Sequence, residues 1–346
     1  MISEKPDISI IIPHWNGIEI LSECIQSLSK TDFHSYEIII VDNSSSDGSQ
    51  NWIKKNYPEI ILLENEYNYG YAGGCNKGSQ IAKGEYLVFL NNDTIQEPDW
   101  LTHLFNCFQI RDDIAAVQPK ILNYYDRTTF DYAGGAGGLM DKYCYPFTRG
   151  RIFLDQEEDV GQYNDSKECF WASGTSMMVK KELFQLAGGF DEVFFSHMEE
   201  IDLCWRLQAL GYKIWVEPRS VIFHKNAATL PMYTHRKYYL NHRNSLLMLL
   251  SNHNILDTIY YGIARILLEI VAICYSVIKI DFNHITGIIH SFIWLLINPM
   301  TIYKKRRSFN NLNKSKVTNS FHNKSIVFSY YILNKKTYSE NVSNAD

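Results

Sequence analysis

An unbroken apolar run, Tyr86-Leu87-Val88-Phe89-Leu90, ends abruptly in Asn91-Asn92-Asp93-Thr94. The run has the length and content of a buried strand, with two amides and a carboxylate at its carboxyl end. In an open α/β sheet ligands collect in the crevice at the carboxyl ends of the strands, which puts Asp93 where a ligand would sit. Hard cations such as Mg²⁺ or Mn²⁺ take oxygen ligands and commonly bind through one or two carboxylates plus substrate phosphates. Turn and helix-capping chemistry is the plainer explanation of Asn-Asn-Asp-Thr, and these residues alone do not choose between the two.

The same pattern precedes this stretch twice. Ile8 to Ile12 is β-branched and apolar, is stopped by Pro13, and leads into His14-Trp15-Asn16-Gly17. Helical spacing follows at Ile20, Leu21, Cys24, Ile25 and Leu28, and Glu37 to Val41 then runs into Asp42-Asn43. Strand, helix and strand, with polar residues at each carboxyl end, predict an α/β architecture. Asn65 to Gly78 holds four glycines ahead of a helical segment, a loop whose backbone can approach a ligand and offer N–H groups to phosphate. No Gly-x-Gly-x-x-Gly or Gly-x-x-x-x-Gly-Lys-Ser/Thr occurs, which argues against dinucleotide and P-loop sites.

Further along, Pro98 to Phe108 reads as a helix and Ala115 to Leu122 as a strand whose Pro119 predicts an edge or a break. Residues 123–168 show little periodicity and are expected to be long loops covering a site. Phe170 to Val179 is strand-like, and Lys181 to Leu186 is a short helix ended by Gly188-Gly189. Glu199, Glu200 and Asp202 open another helix, in which Asp202 and Arg206 are one turn apart. Acidic residues at a helix start are also favoured by the helix dipole alone. Tyr212 to Val216 and Val221 to His224 are the last two strand candidates.

Seven scattered cysteines without a Cys-x-x-Cys predict neither a disulfide framework nor a zinc site. With an N-terminus that lacks an apolar signal core, a reducing cytosol is the expected compartment. The net charge of -5 hides an asymmetry: Lys304 to Lys336 carries nine Lys and Arg and no Asp or Glu, leaving 24 basic against 38 acidic residues elsewhere. A basic tail on an acidic body suits an anionic membrane surface and excludes nucleic acid as a partner. Ile255 to Ile280 and Phe282 to Tyr303 are long apolar helices; Arg265, Glu269 and Lys279 interrupt the first. The second has the length of a span. The expectation is an amphipathic pair lying in the interface beside the basic run 304–307, holding the protein peripherally on the cytoplasmic face of the membrane. A span at 282–303 and a soluble helical subdomain are the alternatives.

Seven segments in order carry a resemblance: Ile-Ile-Pro-His-Trp-Asn at 11–16, Val-Asp-Asn-Ser-Ser at 41–45, Asn-Tyr-Gly-Tyr-Ala-Gly-Gly-Cys-Asn at 68–76, Leu-Asn-Asn-Asp at 90–93, Gly-Gly-Phe-Asp-Glu at 188–192, Glu-Glu-Ile-Asp-Leu-Cys-Trp-Arg at 199–206, and His224. Over roughly residues 7–250 the chain resembles the inverting family 2 glycosyltransferases of the GT-A fold, in the rhamnosyltransferase-like branch of bacterial surface-polysaccharide enzymes. The resemblance implies a GT-A domain over 1–237, with a nucleotide-sugar half to about 122 and an acceptor half beyond. A membrane-associating helical region over 238–310 and a basic polar tail over 311–346 would follow.

It also implies roles for the matched residues. Pro13, Trp15, Asn16, Asp42, Asn68, Gly70, Asn76, Asn91 and Asn92 would surround the donor, with Trp15 on the base and Asp42 accepting from a base N–H of uracil or thymine type. Asp93 and His224 would hold Mg²⁺ or Mn²⁺, although Asn91 replaces the earlier acid of the usual Asp-x-Asp. Glu200 would be the general base and Glu199 a supporting acid. The activity implied is metal-dependent, inverting transfer from a UDP- or dTDP-sugar to a saccharide acceptor, lipid-linked, in surface polysaccharide synthesis. Asn91 and the Glu at 200, where the family often has Asp, keep a second reading open, a catalytically silent nucleotide-sugar or glycan-binding protein of the same fold.

Overall fold

A computed structural model describes residues 5–225, 233–312 and 321–342. The first half alternates strand and helix: β1 (Ile8–His14), α1 (Ile18–Leu28), β2 (Tyr36–Asp42), α2 (Ser49–Asn56), β3 (Ile61–Glu64), α3 (Gly70–Ile81) and β4 (Tyr86–Leu90). β1 to β4 are mutually parallel, in the spatial order β4-β1-β2-β3. Because helices cover both faces, β1 and β4 are buried almost throughout, and their sequences read as continuous apolar runs. α3 packs closely on this sheet only because Gly78 lacks a side chain; a Cβ there would lie 2.5 Å from Ile11 Cγ2.

The sheet continues as a mixed one through β5 (Thr94–Gln96), α4 (Trp100–Ile110), β6 (Ile114–Asn123), β11 (Lys167–Cys169), β12 (Ser176–Lys180), α5 (Lys181–Leu186), α6 (Glu199–Ala209) and β13 (Lys213–His224). The full order is β11-β13-β6-β12-β4-β1-β2-β3, with β5 pairing on β13. The mixed, mostly parallel sheet flanked by helices is the expected fold class.

Pro119 does not mark an edge, since β6 lies between β12 and β13. It marks a break instead. The ladder to β12 stops at Val117, and β13 bulges opposite Pro119, between Glu217 and Val221. That bulge joins the two expected strands 212–216 and 221–224 into one. Residues 123–168 are more than loops: β7 (Gly138–Met140), β8 (Pro146–Thr148), β9 (Arg151–Ile152) and β10 (Asp155–Gln156) form a small antiparallel sheet. Strands of two or three residues leave no alternation to read in the sequence.

Four helices follow: α7 (His235–Asn252), α8 (Ile255–Lys279), α9 (Phe282–Ile297) and α10 (Pro299–Leu312), the last two meeting at 77°. That bend removes the uniform 282–303 rod: α9 alone is about 24 Å long. Of the tail, Lys314 and Lys316 lie outside the described residues. Over 321–342 it forms α11 (Ile326–Tyr331) and α12 (Tyr338–Asn341), whose Ile326, Tyr330 and Tyr338 bury against Phe130, Phe147 and Ile152.

Candidate active site

The carboxyl ends of β1 and β4 open on one side of the sheet, and a second register closes the site there. Antiparallel pairing of β5 with β13 sets Thr94 opposite His224, and Lys225 N–H donates to Asp93 O at 3.0 Å. Asp93 and His224, distant in sequence, thereby meet, with Nε2 3.1 Å from Asp93 Oδ1. The approach is an ion pair rather than an aligned hydrogen bond, and Asp93 Oδ1 is a buried oxygen without a hydrogen-bond partner. On its other side His224 Nδ1 is 2.9 Å from Asp131 Oδ1. Burial opposes protonation of His224, but the two carboxylates outweigh it and hold its pKa well above the ordinary value. Burial likewise pushes Asp93 up, and His224 pulls it below the usual carboxylate range.

These residues fit a divalent cation. The Asp93 oxygen that pairs with the imidazolium, and Nε2 once it has given up its proton, could both turn to a cation, while Nδ1 is oriented by a second carboxylate, a common arrangement around metal-binding histidines. Among the described residues no cluster of three metal-ligating side chains exists. The protein would supply two ligands, leaving the remainder to diphosphate oxygens and water.

The opposite wall carries the acids. Phe195, His197 and Met198, just ahead of α6, all have positive φ (64°, 68° and 74°). For non-glycine residues this costs on the order of 1 kcal/mol or more each and persists only where the surroundings enforce it. α7 does so: Arg243 Nη2 donates to the carbonyls of Val193 and Phe194 at 2.8 and 2.9 Å, and Asn244 Nδ2 to those of Ser196 and His197 at 3.0 and 2.6 Å. The clamped loop delivers Glu199 and Glu200 into the first turn of α6. Each carboxylate keeps a buried oxygen, Oε2, without a partner. Burial pushes the Glu200 carboxyl up to about 7, with backbone N–H groups nearby pulling the other way. Burial first, and the charge of Glu200 second, put Glu199 well above the usual range. Asp202, by contrast, is tied into Arg206, Lys305 and Asn252 at 2.8–2.9 Å and is structural.

Gly70 locks the loop that opens α3 to this wall. Its φ is +70°, and a Cβ would lie 2.3 Å from Phe195 O. Gly70→Ala is expected to cost about 1–3 kcal/mol in stability and to lower activity by displacing the loop that holds Glu200. Thermal melting alongside activity tests this: a variant with unchanged melting and turnover would show the contact to be dispensable.

Both walls line one cavity of about 1380 Å³. Ten of the thirteen expected site residues face it: Pro13, Trp15, Asn68, Gly70, Asn91, Asn92, Asp93, Glu199, Glu200 and His224. The other three do not. Asn16 Oδ1 accepts from Ser46 N–H, which fixes the turn after β1. Asn76 bonds Phe190 and Glu192 and ties α3 to the 190s segment. Asp42 is wholly buried, with Oδ2 accepting from Ser45 and Gln50 and Oδ1 left without a partner; its neighbour Asn43 faces the cavity instead.

The profile of "Glycosyl transferase family 2" matches residues 9–184. The chain belongs to this family. The family 2 chain is 26% identical over 234 residues to the O-antigen biosynthesis protein RfbC of Myxococcus xanthus, a match covering 65% of this chain and 18% of that protein. It is 24% identical over 225 residues to an N-acetylglucosaminyl-diphospho-decaprenol L-rhamnosyltransferase of Mycobacterium tuberculosis, covering 60% of this chain and 73% of that one. The chain spans less than a fifth of the length of the Myxococcus protein. Among solved structures, GalNAc-T7 with UDP, GalNAc and Mn²⁺ superposes with a TM-score of 0.57 at 16% identity, covering 73% of this chain and 49% of that one. The mannosyltransferase PcManGT of Pyrobaculum calidifontis, with GDP-Man and Mn²⁺, gives 0.54 at 14% identity, covering 90% and 86%. The fold is GT-A.

Several residues in or just behind the cavity wall of this family 2 chain escaped the sequence reading. Asp131 lies in a stretch without periodicity, yet its backbone bonds to Ile121 and so carries the carboxylate to His224. His14 bridges Asn92 and Ser49 through its two ring nitrogens, at 2.8 and 2.9 Å, behind the cavity face of Asn92. Arg151, Arg236 and Lys237 bring cations to the same space. His14 sits inside the Ile-Ile-Pro-His-Trp-Asn segment without being singled out there, and no motif announces Asp131, Arg151, Arg236 or Lys237.

Proposed function

We propose that the protein is a metal-dependent, inverting glycosyltransferase that moves a sugar from a nucleoside diphosphate sugar to a saccharide acceptor, lipid-linked, in surface polysaccharide synthesis. The observation that carries this is the convergence of Trp15, Asp93 with His224, and Glu200 on a single cavity. The names of relatives in O-antigen and decaprenol-linked synthesis support the acceptor class. Those of the Mn²⁺-bound structures support the cation.

Each group then has a physical task. Trp15, 44% exposed at the rim, offers an aromatic face to a base. Asp42, the acceptor expected for an imide N–H, is walled off from the cavity, and its neighbour Asn43 is the polar group that faces the base edge in its place. Asp93 and His224 hold the cation, which when bound supplies a Lewis acid that neutralises charge on the departing diphosphate. Glu200, ionised, takes the proton from an acceptor hydroxyl as that oxygen attacks the anomeric carbon from the face opposite the diphosphate. One displacement inverts the configuration. Glu199, held protonated, orients Glu200 or the acceptor without adding a second negative charge. A panel of UDP-, dTDP- and GDP-sugars screened by thermal shift tests the donor class. A uridine or thymidine donor should raise the melting temperature with Mn²⁺ and fail to do so with EDTA. No shift from any donor would refute the reading.

α8 supports a membrane location by having its amphipathicity reversed. Its buried residues are Arg265, Glu269 and Ser276, with Arg265 and Glu269 paired at 2.8 Å and Glu269 2.7 Å from His242. Its outward face presents Ile259, Ile263, Ile266, Ile270 and Val277, all more than 45% exposed. A helix with charge inside and apolar side chains outside suits the plane of a bilayer interface. The basic run expected to help is half used elsewhere: Lys305 pairs with Asp191 and Asp202, and Arg306 with the carbonyls of Leu250 and His253. Only Lys304 and Arg307 of the four are exposed. The apolar face therefore carries the attachment. In vesicle co-sedimentation, introducing aspartate at both Ile259 and Ile263 is expected to lower partitioning at least about tenfold. A wild-type protein that stays in the supernatant would contradict the attachment.

A further inference from the structure

The cavity is too large for one substrate, since pockets that fit a single small molecule run roughly 300–1,000 Å³. Beyond the acids it extends as an apolar arm between α8 and α11, walled by Leu268, Ala272 and Tyr275 on one side and Val327 and Tyr331 on the other. Tyr275, on the helix that turns its apolar face outward, and Tyr331 of α11 stand half-exposed at its mouth. At the junction of the polar and apolar parts lies Arg151. It is 8% exposed, its Nη1 donates to Phe153 O, and its Nε is buried without any hydrogen-bond partner. Among the described residues no carboxylate forms an ion pair with it: the charge of Asp131 reaches both it and Lys237 without direct contact, and the Tyr132 ring lies 4.5 Å from the guanidinium, so it is only partly compensated. Lys237 faces the same volume, and the two like charges repel.

A buried, incompletely satisfied guanidinium beside a second cation is costly unless an anion arrives, and guanidinium geometry favours phosphate. The contiguous apolar arm adds a second requirement: the same ligand must carry a hydrocarbon chain. We infer that this arm is the acceptor subsite, taking a lipid phosphate or diphosphate with its chain between α8 and α11 and its phosphate on Arg151. The inference rests on the glycosyltransferase reading for its purpose, though not for its chemistry. The chain would enter from the membrane side and present the headgroup saccharide to Glu200.

Calorimetric titration with farnesyl diphosphate, at saturating UDP and Mn²⁺ so that the donor end is filled, tests it. The wild type should bind farnesyl diphosphate at least tenfold tighter than either inorganic pyrophosphate or farnesol. Arg151→Gln should bring farnesyl diphosphate down to the level of farnesol, Arg151→Lys should recover part of the loss, and Ala272→Trp should bring it down to the level of pyrophosphate. The UDP thermal shift, unchanged in all three, reports folding. Should Arg151→Gln not fold, Arg151→Lys and Ala272→Trp carry the comparison. Farnesyl diphosphate that competes with UDP, or that binds all variants alike, overturns the acceptor subsite and leaves the donor reading standing. Failure of UDP to bind, with the variant pattern intact, overturns the donor reading and leaves the lipid phosphate site.

Discussion

Glu200→Gln is expected to lower kcat by about 10²- to 10⁴-fold while leaving donor binding nearly unchanged. Glutamine keeps the shape and length of the side chain and can still bond the backbone N–H groups near the carboxylate, but it cannot accept a proton from the acceptor hydroxyl. The effect should therefore fall on kcat and spare the melting shift given by UDP with Mn²⁺. A pH profile sharpens the test. Burial raises the Glu200 carboxyl to about 7. A general base works only when ionised, so wild-type kcat should fall roughly tenfold per unit as pH drops below that value and level off above it. Glu200→Gln should lose this limb. Donor turnover that is absent from wild type and variant alike, with nucleotide still bound, would favour the catalytically silent reading. Unchanged turnover in the variant would move the base to another residue.

Asp93→Ala is expected to abolish Mn²⁺-dependent donor binding and to lower turnover by about 10³-fold or more, since it removes the one carboxylate ligand. With Asn91 in the other family position, no second acid compensates. The protein should remain folded. His224 keeps its contact with Asp131 at 2.9 Å, so the imidazolium is not left stranded in the interior. A cost nearer 1–3 kcal/mol than that of an unpaired buried charge is anticipated. Melting curves with UDP in Mn²⁺ and in EDTA check this: the wild type should respond to the metal and the variant should not. A variant that retained the metal-dependent shift would remove Asp93 from the metal site.

Both predictions depend on features that the sequence reveals unevenly. β1, β2 and β4 were legible because a parallel sheet covered on both faces demands continuous apolar runs, and their polar ends located Trp15, Asn92 and Asp93. Glu199 and Glu200 were legible from the residues that match the family. What brings Asp93 to His224 is the register of a three-residue strand, β5, and so short a segment has no pattern to read. Asp131 and Arg151 lie where strands of two and three residues alternate with turns, and their inward placement follows from long-range pairing alone. Asn16 and Asn76 look from sequence like ligand amides, whereas in the structure their polar groups hold neighbouring backbone. The charges of α8 interrupted an apolar helix on paper; only packing against α7 shows that they turn inward and leave the apolar face outside.

A crystal structure of the protein with UDP and Mn²⁺ tests the central claim most directly, that one cavity joins the cation ligands to the general base. The account predicts anomalous density for Mn²⁺ at Asp93 and His224, the uracil against Trp15, and open space between the β-phosphate and Glu200 large enough for a hexose. Metal and nucleotide bound elsewhere, or a diphosphate that leaves Glu200 on the far side of a protein wall, would contradict it.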